Sequence, residues 1–438
     1  MRNRTSALLR ERLTPPRLLV FSFLGLIFSG TLGLKILPGL YTGEPLSWLN
    51  AFFTATSAVC VTGLIVVDTA SYFTVWGQAL LLILIQLGGL GILTFATLAI
   101  LAIGKRLSLS QEALTTQAME VVPELNTRRT VRNLVIFTFA AEGLGALLLF
   151  FCWVGRFSPG DALWHSVFQS VSAVCNAGFS TFSDSLTRFG HSWPTQLVIM
   201  ALIVLGGLGF LTLEEVRILR KKKRTGWAAG LSLHSRLVLT TTTALLVGGW
   251  GLYLLLEWGN TLAVFAPAER LLNAMFMSVT ARTAGFNTVD YGATADSTNF
   301  VTMLLMSVGG SPGSTAGGLK TTTFALIGLL ALARLRGSPV AGAWGRSVPA
   351  ETVQRAVGLF VLAFGTVTLG ILLISVLEIG GIRHGRAPGV FIAQMFEMVS
   401  AFNTVGLSMG ATSDLSGGGR LLTILLMFLG RVGPLTMA

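Results

Sequence analysis

The sequence is poor in the residues that soluble catalytic or disulfide-stapled proteins use. Only 11% of its 438 residues are charged, three are cysteine and four are histidine. So little charge cannot cover a soluble domain, and 52% hydrophobic residues with a mean hydropathy of +0.73 point to a membrane protein. Cys60, Cys152 and Cys175 have no metal-ligand spacing and imply no disulfide framework. There is no H-E-x-x-H pair, no nucleophile beside a base and no pair of intramembrane carboxylates. His165, His191, His234 and His384 fall near span ends or in loops. An intramembrane enzyme is therefore not expected. The net charge of +12 would suggest nucleic acid in a polar protein, but this chain has little surface to offer one. The basic N-terminal arm leads into a full-length apolar run with no A-x-A-like cleavage site, so no processed signal peptide is expected.

What is present is apolar sequence in long runs. Runs that can cross about 30 Å of hydrocarbon, roughly 20 residues each, begin near Arg17, Thr74, Thr130, Trp193, Ser235, Asn299, Val353 and Gly418. Eight crossings are expected. Shorter apolar segments lie within each successive pair, near 46–58, 160–173, 268–281 and 388–400. Each starts after Pro or Gly and ends at a glycine-bearing polar stretch, the pattern of a re-entrant half-helix. Basic residues cluster in the N-terminal arm and in segments 105–132, 217–236 and 334–355, which together hold 21 of the 31 Lys and Arg. That face comes to about +14 and the opposite one to about −3, so the positive-inside rule puts both termini in the cytoplasm. The Arg220-Lys-Lys-Lys-Arg224 run reads first as this topology signal or as a contact for lipid headgroups, and second as a docking point for a soluble partner.

The polar stretches after the half-helices repeat. Ser57-Ala-Val-Cys-Val-Thr-Gly63-Leu64 matches Ser172-Ala-Val-Cys-Asn-Ala-Gly178-Phe179, Thr280-Ala-Arg-Thr-Ala-Gly285-Phe286 and Ser400-Ala-Phe-Asn-Thr-Val-Gly406-Leu407. A second anchor follows each glycine: Leu87-Gly-Gly-Leu-Gly91, Leu205-Gly-Gly-Leu-Gly209, Val308-Gly-Gly-Ser-Pro-Gly313 and Leu429-Gly-Arg-Val-Gly433. Two anchors in register four times define a repeating unit of helix, half-helix, glycine loop and helix. The expected fold is an all-α polytopic membrane protein with four such repeats around one pseudo-fourfold pore. The repeats cover 17–104, 130–218, 235–335 and 353–438; the N-terminal arm is 1–16 and the cytoplasmic linkers are 105–129, 219–234 and 336–352. Glycine loops can turn backbone carbonyls toward the axis, and carbonyl rings replace an ion's hydration shell. The partly negative C-terminal ends of the half-helices act in the same sense. Both features favour a cation.

Two departures carry chemistry. The third anchor continues as Gly309-Gly-Ser-Pro-Gly-Ser-Thr-Ala-Gly-Gly-Leu-Lys320, which cannot remain a continuous membrane helix. It is not a nucleotide-binding loop, because Leu319 separates Gly318 from Lys320. In the fourth anchor Arg431 stands where repeats one and two have Gly89 and Gly207, and charge at that depth is costly and usually functional. The segment 309–320 (Gly309, Gly310, Ser311, Pro312, Gly313, Ser314, Thr315, Ala316, Gly317, Gly318, Leu319 and Lys320) is expected to obstruct the cytoplasmic half of the pore. Lys320 and Arg431 would form an electrostatic barrier beside it. Glu142 is a candidate counter-ion; the plainer alternative is an Arg431–Glu142 pair that merely joins two helices.

At these residues the chain resembles the Trk/Ktr/HKT superfamily of potassium transporters, and within it the bacterial Ktr membrane subunit. The most specific elements are the four filter loops, notably Arg282-Thr-Ala-Gly-Phe-Asn-Thr288, with Gly313-Ser-Thr-Ala-Gly-Gly-Leu-Lys-Thr321 and Leu429-Gly-Arg-Val-Gly-Pro-Leu-Thr436. The resemblance implies potassium bound by filter carbonyls drawn from Val61, Thr62, Gly63 and Leu64; from Asn176, Ala177, Gly178 and Phe179; from Thr283, Ala284, Gly285 and Phe286; and from Thr404, Val405, Gly406 and Leu407. It also implies a homodimer in the bacterial plasma membrane with one pore per protomer. Gating would come from a cytosolic ring of nucleotide-binding regulatory subunits, so nucleotide acts only through that partner. Glycine at all four filter positions favours potassium over sodium, with sodium stimulation left open. A Trk-type or less selective potassium/sodium permease and a cation-coupled secondary transporter, such as a symporter, are the alternatives.

Overall fold

A computed structural model describes residues 15–106, 127–223, 230–380 and 388–436. The N-terminal arm before Pro15, most of the linker expected at 105–129, Arg224 of the basic run and His384 lie outside the described residues. The four repeats fold alike. Their first helices are α1 (Pro15–Ile36), α4 (Thr127–Trp153), α8 (Leu233–Glu257) and α12 (Ala350–Ile374). Their half-helices are α2 (Trp48–Val59), α5 (Pro159–Cys175), α9 (Pro267–Thr280) and α13 (Val390–Phe402), and their second helices are α3 (Val75–Arg106), α6 with α7 (Trp193–Gly207 and Phe210–Lys223), α10 with α11 (Asp296–Met306 and Thr321–Leu335) and α14 (Gly417–Thr436).

The half-helices begin where the sequence supplies caps. Ser47 accepts from the Asn50 amide, Ser158 accepts from Asp161 with Pro159 in the first turn, and Glu269 reaches back to the Ala266 amide ahead of Pro267. Among the described residues, four helices are long and apolar enough to cross a bilayer unbroken: Arg17–Ile36, Val131–Trp153, Leu233–Glu257 and Ala350–Glu378. All four are the first helix of a repeat. The second helices are less regular than eight equal spans would require. In repeat two α6 and α7 meet at 96°, and in repeat three fourteen residues of loop, 307–320, separate α10 from α11. The linker expected at 336–352 holds a two-stranded hairpin, β1 (Gly342–Ala343) and β2 (Arg346–Ser347), turned at Trp344 and Gly345 with positive φ at both.

Apolar clusters join neighbouring repeats and close the ring. One packs Phe53 and Leu84 of repeat one with Met398 and Met427 of repeat four; another packs Trp153 and Phe182 of repeat two with Phe276 and Phe286 of repeat three; a third packs Tyr253 and Met306 of repeat three with Phe396 and Leu407 of repeat four. The outward faces are apolar too. Phe21, Phe28, Phe151, Leu255 and Phe364 are each more than 60% exposed, an arrangement suited to lipid and unsuited to water.

Candidate functional site

Each half-helix ends in the same backbone device. Val61, Asn176, Thr283 and Thr404 take left-handed φ values of 55°, 56°, 64° and 48°, and two residues later Gly63, Gly178, Gly285 and Gly406 take 91°, 71°, 79° and 90°. Asn tolerates this region, but the β-branched Val61, Thr283 and Thr404 do so at a cost of about 1–2 kcal/mol each. Hydroxyls at the head of each motif hold the turns. Ser57 donates to the Leu64 carbonyl at 2.7 Å and accepts from the Gly63 amide at 3.1 Å. Ser172 donates to Phe179 O at 2.7 Å, Thr280 to Phe286 O at 2.5 Å, and Ser400 accepts from the Gly406 amide at 3.0 Å. In repeat three the hydroxyl stands one residue nearer its glycine, and the bond survives because the Ala284 amide returns to Thr280 O.

The four glycines form a closed ring. A Cβ built on Gly63 would stand 2.4 Å from Ala177 O, one on Gly178 would stand 2.9 Å from Gly285 Cα, one on Gly285 would stand 2.5 Å from Val405 O, and one on Gly406 would stand 2.1 Å from Thr62 O. The contacts run one to two to three to four and back to one. All four glycines border one cavity of about 390 Å³ whose wall also carries Asp68, Asp184 and Asp290. Asp68 caps a short helix and accepts a 2.6 Å bond from Ser183 of the next repeat. Partial burial opposes its ionisation, but bonds from Ser183, Ser71 and the Ala70 and Ser71 amides outweigh that and hold its carboxyl below the usual value. The Thr62, Ala177, Ala284 and Val405 carbonyls lie beside the glycines of neighbouring repeats, and the cavity wall carries three carboxyl groups, a combination whose chemistry suits a cation.

The glycine-rich segment of repeat three packs against the ends of the half-helices and the second anchors of repeats two and four. The Ser311 and Thr315 amides donate to Gly207 O and Gly206 O, the Phe210 amide donates to Gly313 O, and the Thr315 hydroxyl donates to Val174 O at 3.1 Å. The Gly318 amide donates to Gly430 O, and Ser314 bonds back to Ser311 O beside Pro312. A Cβ on Gly317 would stand 2.0 Å from the Thr404 hydroxyl, so the loop presses on the fourth filter. Three cations tie it down: Arg282 donates to Gly309 O at 3.0 Å, Lys320 to Ala316 O at 2.7 Å and Arg431 to Thr315 O. Gly310 receives the Thr321 amide. Arg431 is 1% exposed, and none of the three cations forms an ion pair among the described residues.

Of the sixteen expected filter positions, Gly63, Leu64, Gly178, Phe179, Gly285 and Gly406 line the shared cavity, while Arg431 meets the segment 309–320 at Thr315 O and Gly317 of that segment lies against Thr404. Glu142 does not join them. Its carboxylate accepts two bonds from Gln86, at 2.9 and 3.2 Å, linking α4 to α3, and it pairs with neither Lys320 nor Arg431. The cations instead use loop carbonyls, which the unwound backbone frees. Arg282 was visible only as part of a filter motif; its side chain turns down to the loop. Glu397, a fully buried carboxylate inside α13, had no spacing signal at all.

Known proteins resemble this chain over nearly its whole length. The family described as TrkH, cation transport protein, matches residues 19–438. The Ktr system potassium uptake protein B of Bacillus subtilis is 38% identical over 97% of this chain and 92% of its own length. The potassium/sodium uptake protein NtpJ of Enterococcus hirae is 37% identical over 98% and 93%. Among solved structures, the potassium transporter TrkH of Vibrio parahaemolyticus superposes with a TM-score of 0.76 over 97% of this chain and 84% of that one, at 18% identity.

Proposed function

Because the chain belongs to the TrkH family of cation transport proteins, and is thus a membrane transporter and not an enzyme, we propose that it carries potassium into bacterial cells across the plasma membrane. The ring of Gly63, Gly178, Gly285 and Gly406 carries this reading. A hydrated cation gathers in the acidic mouth, exchanges water for carbonyl oxygens at the ring, and meets the segment 309–320 below. The loop, with Lys320 and Arg431, closes the path at rest: charge repels the ion and the loop backbone fills the space. Opening requires the loop to leave the Thr404 surface and Arg431 to release Thr315 O. Both termini face the cytoplasm, where a nucleotide-binding regulatory ring moves the loop in a homodimer of this chain. The relative named as a Ktr system component supports such a partner.

A second reading, a pore that passes potassium and sodium with little preference, is favoured by the name of the Enterococcus hirae relative. Uptake of each ion by cells lacking other potassium systems, with and without sodium, separates the two. Potassium uptake at micromolar to millimolar concentration supports the first, equal uptake of both ions supports the second, and absence of flux rejects both.

A further inference from the structure

All four filter loops are pinned at their inner ends by the Ser and Thr hydroxyls, but their outer ends are held in different ways. In repeat two, Gln169 of α5 donates to the Ser180 hydroxyl at 2.6 Å, two residues beyond Gly178. The loop that follows then braces both neighbours. Ser183 donates to Asp68 of repeat one, Ser185 accepts from the Asn287 amide, and the Leu186 amide donates to Asn287 O of repeat three. In repeat four the brace to a neighbour lies farther out, where Arg420 donates to Asn50 of repeat one and to Ser413 O. Its segment 408–412 hangs on one side chain of its own half-helix. Glu397 accepts from the Ser408 hydroxyl at 2.6 Å, the Met409 amide at 3.1 Å and the Thr412 hydroxyl at 2.5 Å.

The positions correspond. Gln169 and Glu397 each lie nine residues before the filter glycine, and Ser180 and Ser408 each lie two after it. The same places hold Thr54 and Ile65 in repeat one and Phe276 and Asn287 in repeat three, which cannot make this bond. Repeats two and four face each other across the ring. A carboxylate can accept from three donors at once, which Gln cannot do with both of its terminal atoms, and its charge strengthens each bond.

We propose that Glu397 is a positioning residue for the fourth filter quadrant and that it determines how strongly the pore prefers potassium to sodium. This rests on the conduction reading above. A ring that distinguishes ions by carbonyl position must keep its quadrants from closing on the smaller ion. In quadrant four Glu397 gathers three donors of the segment just beyond the filter glycine and so resists that closure from behind.

The test is a competition assay in cells that lack other potassium systems and express the chain with its regulatory partner, measuring potassium and sodium uptake separately. Glu397→Ala should lower the potassium-to-sodium flux ratio about tenfold, the effect of losing charge-assisted bonds at one quadrant. Glu397→Gln, which keeps the shape and part of the bonding, should lie between Ala and wild type. Ser408→Ala removes one donor from the opposite side, and should move the ratio the same way by a smaller factor even where Glu397→Ala does not assemble. Folded Glu397→Ala or Ser408→Ala protein with an unchanged ratio overturns the inference while leaving conduction intact. Absence of cation flux in the wild-type chain overturns the conduction reading itself.

Discussion

Gly406 of the last repeat stands against Thr62 of the first, so close that a methyl group on Gly406 would lie 2.1 Å from the Thr62 carbonyl oxygen. This contact joins the two ends of a linear fourfold repeat into a ring. Gly406→Ala meets both the clash and an unfavourable φ of 90°. Potassium uptake should fall by about tenfold or more. Gly25→Ala, at a helical position with nothing within 4 Å, should leave uptake unchanged, and equal effects of the two would argue against the ring.

Gly317→Ala tests the loop. The added methyl would lie 2.0 Å from the Thr404 hydroxyl, so the loop must withdraw from the filter. Basal potassium conductance in single-channel or flux recordings should rise by roughly tenfold, a shift of about 1.4 kcal/mol in the balance of closed and open forms. A variant that folds and conducts like wild type would remove the loop from the gate.

The hydroxyl latches predict a graded loss. Ser172→Ala deletes the bond to Phe179 O, worth about 1 kcal/mol, and should raise the potassium KM several-fold with little change in the amount of protein in the membrane. Ser22→Ala in α1, where the hydroxyl bonds only its own helix, serves as the comparison and should be silent.

External pH should act through Asp68. Its carboxyl is held below the usual value in the fold, so the bond from Ser183 is complete above the ordinary carboxylate value of about 4 and is lost as pH falls through the lower folded value. The potassium KM should stay flat from about pH 8 to pH 5 and rise only below about pH 4. Asp68→Asn should raise KM at neutral pH. A KM that climbs between pH 7 and pH 5 in the wild type, absent in Asp68→Asn, would contradict this assignment.

The repeat was legible in the sequence because each element is written into local chemistry. The Ser or Thr heading each filter makes a latch, the glycine closing it makes a ring contact, and in repeats one, two and four the first glycine of the second anchor makes room for the half-helix end. A Cβ on Gly88, Gly206 or Gly430 would strike the carbonyl of Val59, Val174 or Phe402 at the end of the half-helix. What local sequence could not carry was tertiary. Leu87-Gly-Gly-Leu-Gly91 and Leu205-Gly-Gly-Leu-Gly209 are the same string, yet the first lies within continuous α3 and the second separates α6 from α7. The difference is the loop of repeat three, whose Ser311 amide and Gly313 carbonyl take up Gly207 O and the Phe210 amide. Glu142 was misplaced for a related reason: carbonyls of an unwound segment, invisible as charges, give Lys320 and Arg431 their partners, Ala316 O and Thr315 O.

The central claim is that the glycine ring is the selective path. It is tested most directly by potassium and sodium uptake in cells that express the chain with its regulatory partner, compared between wild type and Gly285→Ser. Gly285 has φ 79° and room for no Cβ against Val405 O at 2.5 Å. The account predicts a wild-type flux that favours potassium and a Gly285→Ser flux in which that preference falls sharply. Equal preference in both proteins, with flux retained, would contradict it.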